Sequence, residues 1–387
     1  MDAQVDLSVR SFGPRGRDER RQAIADQIAA GRSLGAFDGD RPVGAAVFHD
    51  MRQWWSGRAV PMAGVASVRV APEDRGRGIA RRLMAAVLAD VAARGYPLSV
   101  LYPATMPLYR SFGWELAGVR ETAVIPARSL RDLVPPDPVI PAIPDVTPGS
   151  ARLRRAAPGD AEAVLAVVGR VREVARDSGP ITWDAATVDS WLADPDVYAY
   201  LCDDGFLVYG WHNGNHALFV DGAEAVSAST QRSFWSHIGS HASIADQVYA
   251  CLSPADAFWL LTRERDAQVH RRSMWMLRVV DAQAAIAARG FPAAVSASVP
   301  LAITDQTRPV NSGRWQLTVA DSKGALEPLA GDAGTPLALG ARGLAALYAG
   351  TPVGTLRQAG LAAGGSPAAD AVLDAAFAGT AYMLDSF

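Results

Sequence analysis

ASVRVAPEDRGRGIARRLMAAVLADVAAR, residues Ala66 to Arg94, reads as a strand, a short glycine-rich turn and a long helix. Val68 and Val70 share one side of an extended run, which Pro72 ends by removing a backbone donor. Beyond the turn, Ile79, Leu83, Val87 and Val91 recur every four residues with Arg81, Asp90 and Arg94 between them. That is the spacing of a helix with one apolar face. Between strand and helix lies Arg75-Gly76-Arg77-Gly78-Ile79-Ala80. Glycines at a helix start let backbone N–H groups approach an anion closely, and the helix dipole favours negative charge there. Flanking arginines add charge-assisted contacts. The turn is suited to phosphate.

A nucleoside-triphosphate loop would end in Gly-Lys-Ser/Thr, which is missing here. A dinucleotide fingerprint would need a third glycine where Arg81 stands, and an acid on a following strand. The turn resembles instead the pyrophosphate loop of the GCN5-related N-acetyltransferases, Gln/Arg-x-x-Gly-x-Gly/Ala, across Arg75 to Ala80. The alternative is a basic helix start that binds nothing. The order strand, proline, loop, amphipathic helix and second apolar strand (Pro97 to Tyr102) weighs against it.

At 387 residues, 49% of them apolar, the chain is long enough for two or three packed domains. No apolar run is long enough to span a bilayer, and the N-terminal stretch MDAQVDLSVRSFGPRGRDERR lacks a signal-peptide core. The expectation is a soluble cytoplasmic enzyme that uses neither membrane nor nucleic acid; the net charge of −3 agrees with the last point. Cys202 and Cys251 have no metal-ligand partner at close spacing and read as reduced, structural thiols.

Before the central stretch, Arg17 to Ala30 reads as a helix ended by Gly31. Ser33–Phe37 and Val43–Phe48 read as strands joined by Asp38-Gly39-Asp40, a hairpin signal. The pair Trp54-Trp55 either lines a substrate pocket or closes over a core. Pro107 to Trp114 gives a short helix stopped at Gly113, with one or two strands following to about Ile125. The proline-dense run PPDPVIPAIPDVTPG, Pro135 to Gly149, cannot be a helix interior or central strand and marks a linker. A second unit starts at Ala151, with helices at Ala161–Val174 and Thr187–Leu192 and strands at Val197–Val208 and His216–Phe219. It loosely repeats the first unit without the phosphate turn. His237 and His241 have metal-ligand spacing, but Gly239 interrupts them and no nearby acid or cysteine completes a site. A third unit begins near Met274. It has strands at Ala294–Ile303 and Gly313–Val319, then Leu337–Leu347, and a helix from Pro367 to Ala378. The apolar ending Leu384-Asp385-Ser386-Phe387 suggests a tucked-in terminus.

The chain is similar to the enhanced intracellular survival (Eis) family of actinobacterial N-acetyltransferases. The resemblance rests on Ser67 to Pro72, Arg75 to Ala80, Arg94 to Pro97 with Leu101 to Ala104, Leu108 to Gly113 and the Asp385-Ser386-Phe387 end. It implies an α+β fold of two tandem GCN5-related acetyltransferase-like domains, the second degenerate, followed by a sterol-carrier-protein-like C-terminal domain. The corresponding spans are 1–134, a linker 135–150, 151–273 and 274–387. The resemblance also implies acetyl-CoA as co-substrate with no metal, a small primary amine as acceptor, aminoglycosides for some members, and a homohexamer. Val68, Arg69 and Val70 would hold the thioester and pantetheine arm, with the Val70 N–H polarising the acetyl carbonyl. Arg75, Gly76, Arg77, Gly78, Ile79, Ala80 and Arg81 would cradle the pyrophosphate. Ala104 and Thr105 would border the co-substrate. Tyr109 would be the general acid and the Phe387 carboxylate the general base.

Acetyl transfer to an amine needs a neutral nitrogen, a polarised carbonyl and a proton for the leaving thiolate. A tyrosine, with a reference pKa of about 10, is protonated at neutral pH and suits the last role. A terminal carboxylate near pKa ~3.5 is a weak base for an ammonium near ~9–10. It would act with its pKa raised by burial, through a bridging water, or by attracting and orienting the cation. Two other functions stay open on sequence: a protein-lysine acetyltransferase, and a non-catalytic acyl-CoA or lipid-binding module.

Overall fold

The computed structural model describes residues 2–13, 17–136, 152–330 and 334–387. The proline-dense linker therefore lies, beyond its first two residues, outside the described residues. A helix that the sequence reading did not anticipate, α1 (Asp2–Phe12), precedes α2 (Arg17–Ala29). It is anchored by Val5 and Leu7, both fully buried. The expected hairpin is β1 (Ser33–Asp38) with β2 (Arg41–Trp55), and β2 turns at Ser56-Gly57 into β3 (Arg58–Val70). From β3 the chain crosses over α3 (Ile79–Ala93) to β4 (Leu98–Leu101), which runs parallel to β3. A parallel pair needs such a crossover. The apolar stripe Ile79, Leu83, Val87 and Val91 is buried, as its spacing demands. Helix α4 (Met106–Arg110) and β5 (Glu115–Pro126) follow.

The second unit contributes β6 (Arg154–Arg155), α5 (Ala161–Ala175), β7 (Ser178–Thr182), α6 (Ala185–Leu192), β8 (Val197–Cys202) and β9 (Gly205–His212). It continues with β10 (Ala217–Ala225), α7 (Ala228–Gly239), β11 (Gln247–Leu252), a one-turn α8 (Phe258–Leu261) and β12 (Gln268–Val279). The single strand expected over Val197–Val208 is two strands, because the chain turns at Asp203-Asp204. Like β3 and β4, β10 and β11 are parallel and joined by a helical crossover.

Among the described residues these strands form one sheet, ordered β1-β2-β3-β4-β12-β5-β11-β10-β9-β8-β6, with β7 paired to β2. Strand β12 lies between β4 and β5 and pairs antiparallel with both. The last strand of the second unit thus completes the sheet of the first, while β5 also pairs with β11. The boundary expected at 273/274 falls inside β12, so Met274 to Val279 belongs to the large sheet and not to the third unit.

The third unit runs from α9 (Ala282–Ala288) through β13 (Ala297–Thr304), β14 (Gly313–Ala320), β15 (Lys323–Pro328), β16 (Leu337–Gly340), α10 (Ala341–Tyr348), α11 (Val353–Gln358) and β17 (Ala362–Gly364) to α12 (Pro367–Ala376). Its own sheet has the order β15-β14-β13-β16-β17. Val299, Leu301, Leu317 and Leu339 share one core with Met51, Trp55, Met62 and Trp275 of the large sheet. Arg289 is 1% exposed there, with its guanidinium 4.5 Å from the Tyr348 ring centre and 4.6 Å from that of Phe377. Of the two tryptophans, Trp55 is a core residue, edge-on to Trp275 and Tyr348. Trp54 donates to Thr182 Oγ1 at 2.7 Å. After α12 the chain returns to the large sheet. Met383 N donates to Val119 O (2.9 Å) and Tyr382 N to Ser178 O (3.1 Å), threading the tail between β5 and β7.

Candidate active site

Strands β3 and β4 pair only where Met62, Ala63 and Gly64 face Leu98, Ser99 and Val100. Beyond Gly64 they diverge. Ser67 takes a left-handed φ of 51°, and the β2–β3 register shifts opposite it between Ala45 and Val47. Such a bulge re-aims the strand and frees backbone groups from the ladder. Val68, Arg69 and Val70 follow it directly. Arg69 is buried and turned away, its Nη1 donating to Ser67 O (3.1 Å).

At the open end of β3, Pro72–Asp74 makes one tight turn and leads into the glycine pair. Gly76 and Gly78 have φ of 82° and 72°, and a Cβ on either would meet nothing within 4 Å. Gly78 is the N-cap of α3 and offers no side chain to its first N–H groups, so these are left for a ligand. Ile79 is buried beneath the turn and Ala80 is half-buried. The arginines divide. Arg77 is committed to Asp74 and to Asp38 (3.2 Å). Asp74 also holds Arg41 at 2.6 Å, and hydrogen bonds from Arg41, then Arg77, keep its carboxyl below the usual range. Arg75 is exposed with no side-chain partner among the described residues. Arg81 is exposed, its guanidinium 5.8 Å from the Phe112 ring centre.

Ala104 and Thr105 join β4 to α4, where Thr105 is the N-cap. Tyr109 on α4 is 5% exposed and belongs to the core of Leu83, Val87, Phe112 and Trp114. Burial pushes its hydroxyl above the usual pKa of 10.0.

Phe387 lies on the other side. A Cβ on Gly64 would come within 2.9 Å of its ring, so a larger residue there would force the ring to shift. The ring stands edge-on to Tyr102 (5.7 Å between centres), His49 (6.3 Å) and Trp183 (6.5 Å). Gly64 carries Phe387, while its neighbour Val65 belongs to the core that holds Tyr109. Successive strand residues point to opposite faces. Tyr109 and Phe387 therefore flank the divergent strands from opposite faces of the sheet.

Carboxylates gather behind the tail. Burial raises the pKa of Asp177, of Asp385 and of Glu224. Arg172, 2% exposed, donates to Glu224 Oε1 at 2.9 Å. Asp385 Oδ1 accepts from Trp183 Nε1 at 3.3 Å. His237 and His241, by contrast, both face Tyr209 Oη, at 3.1 and 3.5 Å. Among the described residues no group of three His, Cys, Asp or Glu is placed to hold a metal.

Sequence reasoning missed His49, Tyr102, Arg120 and Trp183. Of these only Tyr102 lies in a motif stretch, Leu101 to Ala104.

Residues 1–117 match an acetyltransferase (GNAT) domain, residues 176–279 a second one, and residues 282–384 a sterol carrier protein domain. An uncharacterized N-acetyltransferase of Streptomyces avermitilis is 30% identical over 370 residues, 89% of this chain and 86% of that one. The N-acetyltransferase Eis of Mycobacterium tuberculosis is 26% identical over 368 residues, with the same coverage. A crystal structure of a GCN5-related N-acetyltransferase from Kribbella flavida superposes with a TM-score of 0.90 at 43% identity, covering 100% of this chain and 95% of that one.

Proposed function

The chain belongs to the Eis-like GCN5-related N-acetyltransferases, and on that premise we propose that it transfers acetyl from acetyl-CoA directly to a primary amine at the divergence of β3 and β4, aminoglycosides being among its acceptors. The observation that carries this reading is the placement of Tyr109 and Phe387 on opposite faces of the sheet, flanking the gap. Acetyl-CoA would enter on the Tyr109 face and the amine on the Phe387 face.

The turn from Arg75 to Arg81 would take the pyrophosphate, chiefly through backbone N–H groups and Arg75, whose side chain has no partner among the described residues. Val68 to Val70 would hold the pantetheine arm, and the Val70 N–H would polarise the carbonyl. Ala104 and Thr105 would border the arm. The amine nitrogen forms a bond to the carbonyl carbon, and the carbon–sulfur bond breaks. Tyr109 gives its proton to the thiolate sulfur, and the proton lost from nitrogen goes to the Phe387 carboxylate, directly or through water. The Phe387 carboxylate would also attract and orient a cationic acceptor. Assembly as a homohexamer belongs to the same proposal.

Gly78→Asp tests the pyrophosphate assignment. The position has room for a side chain, and aspartate tolerates its left-handed φ, so the fold should survive. Negative charge at the helix start should raise the KM for acetyl-CoA by about tenfold or more. Unchanged acetyl-CoA binding by the folded variant would refute the assignment.

A further inference from the structure

We propose that Tyr102 and Arg120 are positioning residues which clamp the last residues of the chain and so fix Phe387 against Gly64. This inference rests on the reading of Phe387 as part of the acceptor side of the site.

The tail is held in two ways. Through Met383 it is bound like a strand: Val119 N donates to Ala381 O (3.3 Å) and Met383 N to Val119 O (2.9 Å). Past Met383 the described backbone bonds stop, and side chains take over. Arg120 Nε donates to Leu384 O at 2.6 Å, and Tyr102 Oη donates to Asp385 O at 2.7 Å. The arginine sits on β5 next to Val119, where the strand-like contact ends. Its Nη2 lies 2.9 Å from Cys251 Sγ, so the guanidinium is fixed between β11 and the tail. Asp221 and Asp385 add their fields to it without a close ion pair among the described residues.

Tyr102 acts twice. Its hydroxyl holds a carbonyl two residues before Phe387, and its ring edge packs on the Phe387 ring. It also follows β4 directly, so it ties the tail to the wall of the divergence. Burial lifts its hydroxyl pKa well above 10.0, which keeps it a donor throughout the neutral range. Two carbonyls fixed in succession leave Phe387 little freedom, and a well-placed reacting group is worth far more than a mobile one.

Tyr102→Phe removes one hydroxyl and keeps the ring. Arg120→Gln removes the charge-assisted bond, and Arg120→Lys restores a donor without the fork. Each of the first two should lower kcat/KM for the amine by about tenfold, with KM for acetyl-CoA within about twofold of wild type. Release of Phe387 by carboxypeptidase A should accelerate in both, and Arg120→Lys should recover part of each effect. Wild-type amine turnover together with wild-type resistance to carboxypeptidase in Tyr102→Phe would overturn the clamp. So would a loss that tracks melting temperature alone and shifts both substrates equally. Deleting Phe387 separates this from the underlying reading. Normal turnover after deletion overturns the role of Phe387 itself. Loss on deletion, with normal Tyr102→Phe and Arg120→Gln enzymes, overturns the clamp alone.

Discussion

Tyr109 suits a general acid because burial acts on it twice. It raises the hydroxyl pKa above 10.0, so the proton is present at working pH, and it locks the ring among Leu83, Val87, Phe112 and Trp114. Tyr109→Phe keeps the packing and removes the proton. Steady-state kinetics should show kcat lower by about 10²–10⁴ with the KM for acetyl-CoA little changed; a fall within about threefold would return Tyr109 to a packing role. The short helix that carries Tyr109 was legible in sequence because its signals are local, as were the turn glycines Gly76 and Gly78, whose left-handed φ values follow from their place at a helix start. Tyr102 and Arg120 were not, since each acts on a carbonyl more than 260 residues away. Arg77 shows the same limit at short range. Spacing offers it to the pyrophosphate together with Arg75, but the buried Asp74 and the exposed Asp38 already hold its guanidinium in ion pairs.

The short helix α4 is too short to be stable alone, so its position depends on what grips it. Glu115, 4% exposed, accepts from Arg110 Nε (3.0 Å) at the end of α4 and from Arg342 Nε (2.6 Å) on α10. The third unit thus reaches the helix that carries Tyr109. Burial pushes the Glu115 carboxyl up, but hydrogen bonds from Arg110, the Leu116 N–H and Arg342 outweigh it and hold the pKa below 4.5. Because the folded value is depressed, its contribution is full above the unfolded value near 4.5 and is lost as pH falls through the folded value. Glu115→Gln should cost about 1–3 kcal/mol, discounted because both arginines are partly exposed. It should also lower kcat by about tenfold through misplacement of Tyr109. Thermal melts from pH 7 to pH 3 should converge for wild type and variant at the acid end. A constant gap between them would refute the charged role. Elements with strong periodicity, α3 above all, were legible. The insertion of β12 between β4 and β5 was not, because an apolar run such as Met274 to Val280 reads as a strand without naming its neighbours.

At the scale of the molecule, the placement of β12 makes the first unit incomplete by itself. A fragment ending near residue 136 would expose the edges of β4 and β5 and lack the core contributed by Trp275, Met276 and Leu277. Unpaired strand edges over an open core favour aggregation. A cut in the proline-dense segment severs none of the described strands, whereas a cut at 273/274 divides β12. We therefore expect fragments 1–140 and 141–387, produced together, to copurify, to have the mass of the intact assembly by light scattering, and to transfer acetyl from acetyl-CoA to an amine. Fragment 1–140 made alone should be insoluble or unfolded. Fragments 1–273 and 274–387 should fail to assemble even when produced together, because the strand that joins both acetyltransferase-like units is broken within its paired length. A soluble, folded and acetyl-CoA-binding 1–140 fragment would contradict this, since it would mean that the first unit closes its sheet without β12.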